Sequence, residues 1–200
     1  MHVKKKLAAG LLTCGALAAG LTTGAMTSSA APLDAGGAPS AASTPSVKLH
    51  LSPSSPALAE CMPKAKVDIR VRLKTDKVGF DDFEVTASGL PPETPFTVFL
   101  LQQADAPFGA AEYIGDITSN SSGKAKNGFK LIVQESFSSV LVNGQRVRTD
   151  LNQVGMWFAD PAGDDFCLGA GKGAVTPFDG DDEAGVQAFN SLHTTPLPAP

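Results

Sequence analysis

The 200-residue chain carries 16 Lys and Arg against 20 Asp and Glu, a formal net charge of −4 at pH 7. Nucleic acid is not an expected partner for a chain with this acidic balance, because phosphates demand a basic face. Hydrophobic residues make up 42 % of the sequence, and beyond the N-terminus no run approaches the length of a membrane span, so no transmembrane segment is expected in the mature chain.

The N-terminus reads MHVKKKLAAGLLTCGALAAGLTTGAMTSSA. Three lysines, Lys4 to Lys6, precede an apolar run from Leu7 to Leu21 and then small polar residues, which is the tripartite pattern of a secretory signal. Ser28 to Ala30 supply the small residues of a cleavage site, placing the cut after Ala30 and the expected protein outside the cell. Removing residues 1–30 takes three lysines and no acids, leaving 13 basic against 20 acidic side chains and a formal charge of −7.

Residues 31–60 are dominated by Ala, Ser, Pro and Gly and read as a flexible tether, with too little apolar surface to offset the entropy of ordering. Inside it, Val47 to Leu51 alternates apolar and polar residues as a short strand would. A folded domain is expected over 61–192, followed by a loose tail at 193–200. The mature chain keeps two cysteines, Cys61 and Cys167, and an exported protein meets an oxidising environment, so they are expected to pair. The bridge closes a loop of roughly 100 residues, worth on the order of 4 to 5 kcal/mol in the chain-entropy picture.

From Lys64 onward the period is two. Val67, Ile69, Val71 and Leu73 alternate with Lys66, Asp68, Arg70, Arg72 and Lys74, the signature of a half-buried antiparallel strand. Phe83, Val85 and Ala87 repeat the pattern, and Phe96, Val98 and Leu100 mark one face of a third strand. Tyr113 to Thr118, a turn at Asn120 to Gly123, and Phe129 to Val133 read as strand, turn, strand. Asn143-Gly144 suits the tight turn of a further hairpin. "NQVGMWFAD" and "AGVQAFNS" close the series. Seven to nine short strands bounded by Gly and Pro turns predict an all-β fold, an antiparallel β-sandwich of immunoglobulin-like character stapled by one disulfide.

The stretch "SGLPPETPFTVFL", Ser88 to Leu100, is similar to the corner of fibronectin type III and related immunoglobulin-like sandwiches, with Leu90, Pro92, Thr94, Phe96 and Val98 in the corresponding places. Phe96 lacks the hydroxyl of a corner tyrosine, and about ninety residues of strand-like sequence follow, so the resemblance implies the sandwich and not the family. More widely, "GLPPETPFTVFLLQ", "YIGDITSNSSGKAKNGF", "VGMWFADPAGDDFC" and "VTPFDGDDEAGVQAFNS", in that order, resemble a group of uncharacterised secreted actinobacterial proteins. That resemblance implies secretion and a β fold, and transfers no catalytic residue.

"CLGAGKGAVTPFDGDDEAGVQAFN" holds two tempting loops. A phosphate loop fails because Phe166 stands where its first glycine belongs and Gly173 where its hydroxyl belongs. A hand-type calcium loop from Asp179 fails at Ala184 and Asn190. A looser calcium site remains open, with Asp179, Asp181, Asp182 and Glu183 as candidate oxygen ligands; the alternative is a solvated acidic turn. The mature chain has only His50 and His193, which excludes a multi-histidine zinc or copper site within one chain. A carboxylate pair drawn from Glu84, Glu93, Glu112 and Glu135 would serve a secreted hydrolase if geometry brought two together. Lys66, Arg70, Arg72 and Lys74 line one outer strand face, with Arg146 and Arg148 as possible additions. They form a candidate basic surface for an anionic envelope polymer or an acidic patch of an extracellular protein. Trp157, the single tryptophan, reads as core packing, and aromatic platforms for sugars are lacking. The expected function is therefore a secreted, non-catalytic binding or structural module. The carboxylate-pair hydrolase and the weak calcium-binding sandwich are the alternatives.

Overall fold

The computed structural model describes residues 44–133, 136–177, 182–194 and 196–198. The proposed signal segment, Glu135, and Phe178 to Asp181 lie outside them. Among the described residues there are ten strands: β1 (Ser46–Pro53), β2 (Lys66–Arg72), β3 (Asp81–Ser88), β4 (Pro95–Leu101), β5 (Ala111–Thr118), β6 (Ala125–Leu131), β7 (Phe137–Val142), β8 (Gln145–Asp150), β9 (Gln153–Phe158) and β10 (Gln187–Asn190). Short helices α1 (Pro56–Cys61), α2 (Thr75–Val78) and α3 (Asp165–Leu168) sit between them, with a 3-10 turn at Pro161–Asp164. The fold is all-β, as expected, and all the strand pairs are antiparallel.

Eight strands form one hydrogen-bonded band in the order β5-β4-β9-β10-β1-β2-β3-β6, and β7-β8 form a separate two-stranded sheet. The band folds over at β1. Residues 46–51 pair with β2, whereas Ser52 and Pro53 pair with β10, so this strand passes from one layer to the other. The first layer is β1-β2-β3-β6 and the second is β5-β4-β9-β10. Between them lies the core. Val67, Ile69, Val71, Phe83 and Val85 from the first layer meet Phe96, Val98, Leu100, Met156, Phe158 and Phe189 from the second, all buried. Each such side chain contributes roughly 1.5–3 kcal/mol on removal from water.

Two chain crossovers between the layers are locked together. The Ser88–Pro95 corner and the turn at Asn120–Gly123 meet where the Leu90 N–H donates to the Gly123 carbonyl (3.1 Å) and the Thr94 N–H donates to Ser119 Oγ (2.9 Å). The Asn120 side chain holds its own turn, accepting from the N–H groups of Ser122 (2.9 Å) and Lys124 (3.0 Å). Thus β5 and β6 are not a hairpin, as strand-turn-strand spacing suggests. β5 pairs with β4 and β6 with β3, at opposite ends of the band. The Asn143-Gly144 hairpin does form, with φ of 51° and 79° as its tight turn requires.

Two boundaries differ from expectation. The tether does not extend to residue 60, because β1 lies inside the band with Leu49 and Leu51 buried, and α1 follows it. The Ser/Pro composition that suggests a linker supplies a turn and a helix start instead. Ser55 caps α1 by accepting from the Leu58 N–H, Pro56 opens the helix, and Leu58 is buried. Nor is the tail loose throughout, since Leu197 is buried and its N–H donates to the Asn152 carbonyl (2.8 Å). Finally, Cys61 at the end of α1 and Cys167 in α3 form the expected disulfide, with a Cα separation of 5.5 Å.

Candidate binding site

The outer face of the second layer is where the fold departs from a simple sandwich. β4 is buried on both faces: Phe96, Val98 and Leu100 point into the core, while Phe99 and Leu101 point outward into a second cluster with Trp157 and Ala184. Phe108, from the β4–β5 loop, packs against it. The Trp157 ring stands edge-on to Phe99 at 5.3 Å and to Phe108 at 5.0 Å between centroids. It fits because position 155 is glycine; a β-carbon there would lie 2.4 Å from Trp157 Cζ3 and 2.7 Å from Gln187 Nε2.

Irregular chain covers this cluster. The β4–β5 loop closes on itself through Gln102, whose N–H donates to the Ala110 carbonyl (2.9 Å) and whose Oε1 accepts from the Ala110 N–H (3.1 Å). Gln187 Nε2 ties the loop to β10 by donating to the Ala104 carbonyl (3.0 Å). On the other side stand α1, pinned to α3 by the disulfide, and the segment 174–176, held to the approach to β10 by paired hydrogen bonds between Thr176 and Ala184. These covers do not meet. They leave a cleft of about 330 Å³ whose apolar walls include Leu58, Phe108, Trp157, Leu168, Ala174 and Val186. Its polar groups are Ser54, Ser55, Asp105, Thr176 and Gln187. Of these, the Ser54 hydroxyl donates to the Gln187 carbonyl and Thr176 Oγ1 donates to the Gly185 carbonyl (2.9 Å). The cleft is thus an apolar hollow with a few oriented polar groups, the form that small-ligand sites take.

Of the candidate basic residues, Lys66, Arg70 and Arg72 share the outer face of the first layer. Lys74 does not, having left the strand to cap α2, where its ammonium pairs with Asp82 at 2.7 Å. Arg146 and Arg148 stand on the separate β7-β8 sheet. The register adds residues that spacing along one strand cannot show: Lys48 lies opposite Arg70, Lys130 opposite Asp82, and Lys126 opposite Thr86. Three acids interleave. Asp68 pairs with His50, Glu84 with Lys126, and Asp82 with both Lys74 and Lys130. The hydrogen bonds from Lys130 and Lys74 hold the Asp82 carboxyl down at about 2. Among the described residues, Lys48, Lys66, Arg70 and Arg72 make no ion pair.

Of the candidate calcium ligands, Asp179 and Asp181 lie outside the described residues. Asp182 and Glu183 line a second cleft, of about 490 Å³, together with Asp116 and Asp160. Asp116 accepts from Thr97 Oγ1 (3.1 Å) and the Tyr113 hydroxyl (2.9 Å). Among the described residues no three His, Cys, Asp or Glu side chains converge to hold a metal ion. Of the candidate hydrolytic carboxylates, Glu84 stands on the first layer's outer face, paired with Lys126, and Glu112 on β5.

Beside the Trp157 cleft, Asp164 is fully buried under the 3-10 turn. Its Oδ2 accepts from the Val186 N–H (3.1 Å), its Oδ1 has no hydrogen-bond partner among the described residues, and a β-carbon at Gly173 would lie 2.3 Å from both oxygens. Burial raises its pKa above the ordinary carboxylate value, and the charge of Asp165 adds to the shift.

No sequence signal assembles the cleft, because its lining comes from α1, the β4–β5 loop, β9 and the 168–187 segment. One partial sign exists in "FTVFLL": a continuous apolar run indicates a strand covered on both faces. The fold and the site together define a disulfide-pinned all-β domain with a covered outer sheet face and an apolar cleft within that cover. Compared with protein-family models, with curated proteins and with solved structures, the chain matches none.

Proposed function

We propose that the protein is a secreted, non-catalytic binding module that takes a small, largely apolar molecule in the cleft beside Trp157. The observation that carries this reading is the cleft itself: aromatic and aliphatic walls around a hollow of about 330 Å³, at the small end of the roughly 300–1,000 Å³ typical of ligand sites. Export is supported by the signal-like N-terminus and by the Cys61–Cys167 disulfide, which suits an oxidising compartment. The single tryptophan makes the test direct. Titration with the apolar probe anilinonaphthalene sulfonate should change Trp157 emission and saturate at one site, and Ala174→Leu should weaken the response by filling the cleft. An unsaturable response, or one unchanged in Ala174→Leu, would count against the reading.

A second reading concerns the first layer's outer face. Its six basic side chains, Lys48, Lys66, Arg70, Arg72, Lys126 and Lys130, outnumber its three acids on a chain whose net charge is −4. Such a face suits an anionic envelope polymer or an acidic extracellular protein. Retention on a polyanion column that Arg70→Ser and Arg72→Ser together leave unchanged would remove it.

A further inference from the structure

The β7-β8 hairpin stands apart from everything above. It pairs with no strand of the main band, so both of its edges are open, and most of its side chains are exposed. Its large apolar side chains face solvent: Leu141 is 68 % exposed, Phe137 51 %, Val142 49 % and Val147 44 %. An isolated two-stranded sheet is marginal in water and gains nothing from displaying such residues. Yet its root is firmly built. The Val133 N–H donates to the buried Asp81 carboxylate (3.0 Å), the Ser136 N–H to the Val133 carbonyl (3.2 Å), and the Leu151 N–H to the Ser136 carbonyl (2.9 Å), with Val133 and Leu151 buried. A fixed base therefore holds out an apolar arm.

Charge and area select its occupant. Between Ser136 and Leu151 the charged residues are Arg146, Arg148 and Asp150, a net positive segment on a negative chain. Arg148 stacks over Phe137 at 4.1 Å and bonds Asp150 (3.0 Å), while among the described residues Arg146 bonds the neutral Ser139 hydroxyl (2.9 Å). Strands of six residues span about 20 Å, so one face offers on the order of 200 Å². A stable protein interface needs about 800 Å² from each partner, which one hairpin face cannot supply. A lipid surface engages both faces at once, while headgroup phosphates meet the arginines. We infer that the β7-β8 hairpin docks the protein on an anionic lipid surface, Leu141, Val142 and Val147 entering the interface and Arg146 meeting phosphate.

The test is co-sedimentation of residues 31–200, which contain all the described residues of the fold, with vesicles of phosphatidylglycerol or of phosphatidylcholine. Binding to the anionic vesicles only, weakening with salt, is expected. Arg146→Ser should weaken it about fivefold, corresponding to about 1 kcal/mol per arginine near an anionic surface. Leu141→Ser should weaken it about tenfold or more. Unchanged Trp157 emission would show that each variant remains folded, and the salt dependence tests the same claim on the unaltered chain. Equal binding to both vesicles, no loss in Leu141→Ser, or a dimer that Leu141→Ser dissociates would each overturn the inference, the last by assigning the hairpin to a second copy of the chain.

Discussion

The Trp157 ring lies across Gly155, so close that position 155 has no room for a β-carbon. Phe99 and Phe108 hold the ring from its two sides. Gly155→Ala therefore cannot be accommodated without moving the indole or the Gln187 amide that ties down the β4–β5 loop. Overpacking of this kind costs about 1–3 kcal/mol. Gly155→Ala is expected to lower stability by that amount and to alter the Trp157 emission of the folded protein, measured by denaturant unfolding followed through fluorescence. An unperturbed spectrum and midpoint would contradict the packing.

Asp164 gives a pH dependence of defined sign. Its folded-state pKa is raised, so the folded protein favours the neutral acid. The associated stability is full below the unfolded value near 3.8 and is lost as pH rises through the folded value. Asp164→Asn removes the ionisation, so its melting temperature should gain on the native protein's as pH rises from about 4 to 7. A difference that stays flat with pH would show that Asp164 is not held neutral.

Asp82 has the opposite sign. Its pKa is depressed to about 2 by Lys130 and Lys74, so the stability it contributes is present above the ordinary value of 3.8 and is lost as pH falls toward 2. Thermal melts between those limits should show a loss of stability on acidification that is smaller in Asp82→Asn. The same slope in both proteins would contradict the ion-pair assignment.

Asp81 is a different kind of carboxylate. Fully buried, it accepts from the N–H groups of Lys74 (2.6 Å), Thr75 (3.0 Å) and Val133 (3.0 Å), fastening α2 and the root of the hairpin to β3. Asp81→Ala leaves these donors without their acceptor and should cost about 3 kcal/mol or more, read from chemical denaturation.

Reduction of the Cys61–Cys167 bridge frees a loop closed across 106 residues, for which the chain-entropy picture gives about 4 to 5 kcal/mol. At roughly 2–4 °C per kcal/mol for a domain of this size, Cys61→Ser with Cys167→Ser should lower the melting temperature by about 8–20 °C. The bridge also fixes α1 against α3, two walls of the cleft, so the same variant should bind the apolar probe less well at temperatures where it remains folded. A variant that binds the probe like the native protein would show that the walls do not depend on the bridge.

The strands were legible because their inward residues recur with period two: Val67, Ile69 and Val71 on β2, and Phe83 and Val85 on β3, are core residues as that period predicts. The disulfide was legible because the chain beyond its signal-like N-terminus holds two cysteines, which have one pairing. Composition misled at residues 54–60, where an average over thirty residues concealed one capped turn of helix, while the alternation of Val47 to Leu51 did mark β1. Spacing alone could not show that the turn at Asn120 passes between layers, since a hairpin and a crossover use the same turn residues. The cleft was hidden for a deeper reason: Trp157 reads as core, and it is buried, but the hollow at its edge is made by segments brought together only by the fold.

The central claim is that the cleft beside Trp157 is the ligand site, and the most direct measurement is nuclear magnetic resonance of the folded chain titrated with the apolar probe. The single tryptophan gives one indole N–H signal. That signal and those of Leu58, Ala174 and Val186 are predicted to shift together and saturate, while signals from the β7-β8 hairpin remain in place. Shifts centred on the hairpin or on the first layer's outer face, with the indole signal unmoved, would contradict it.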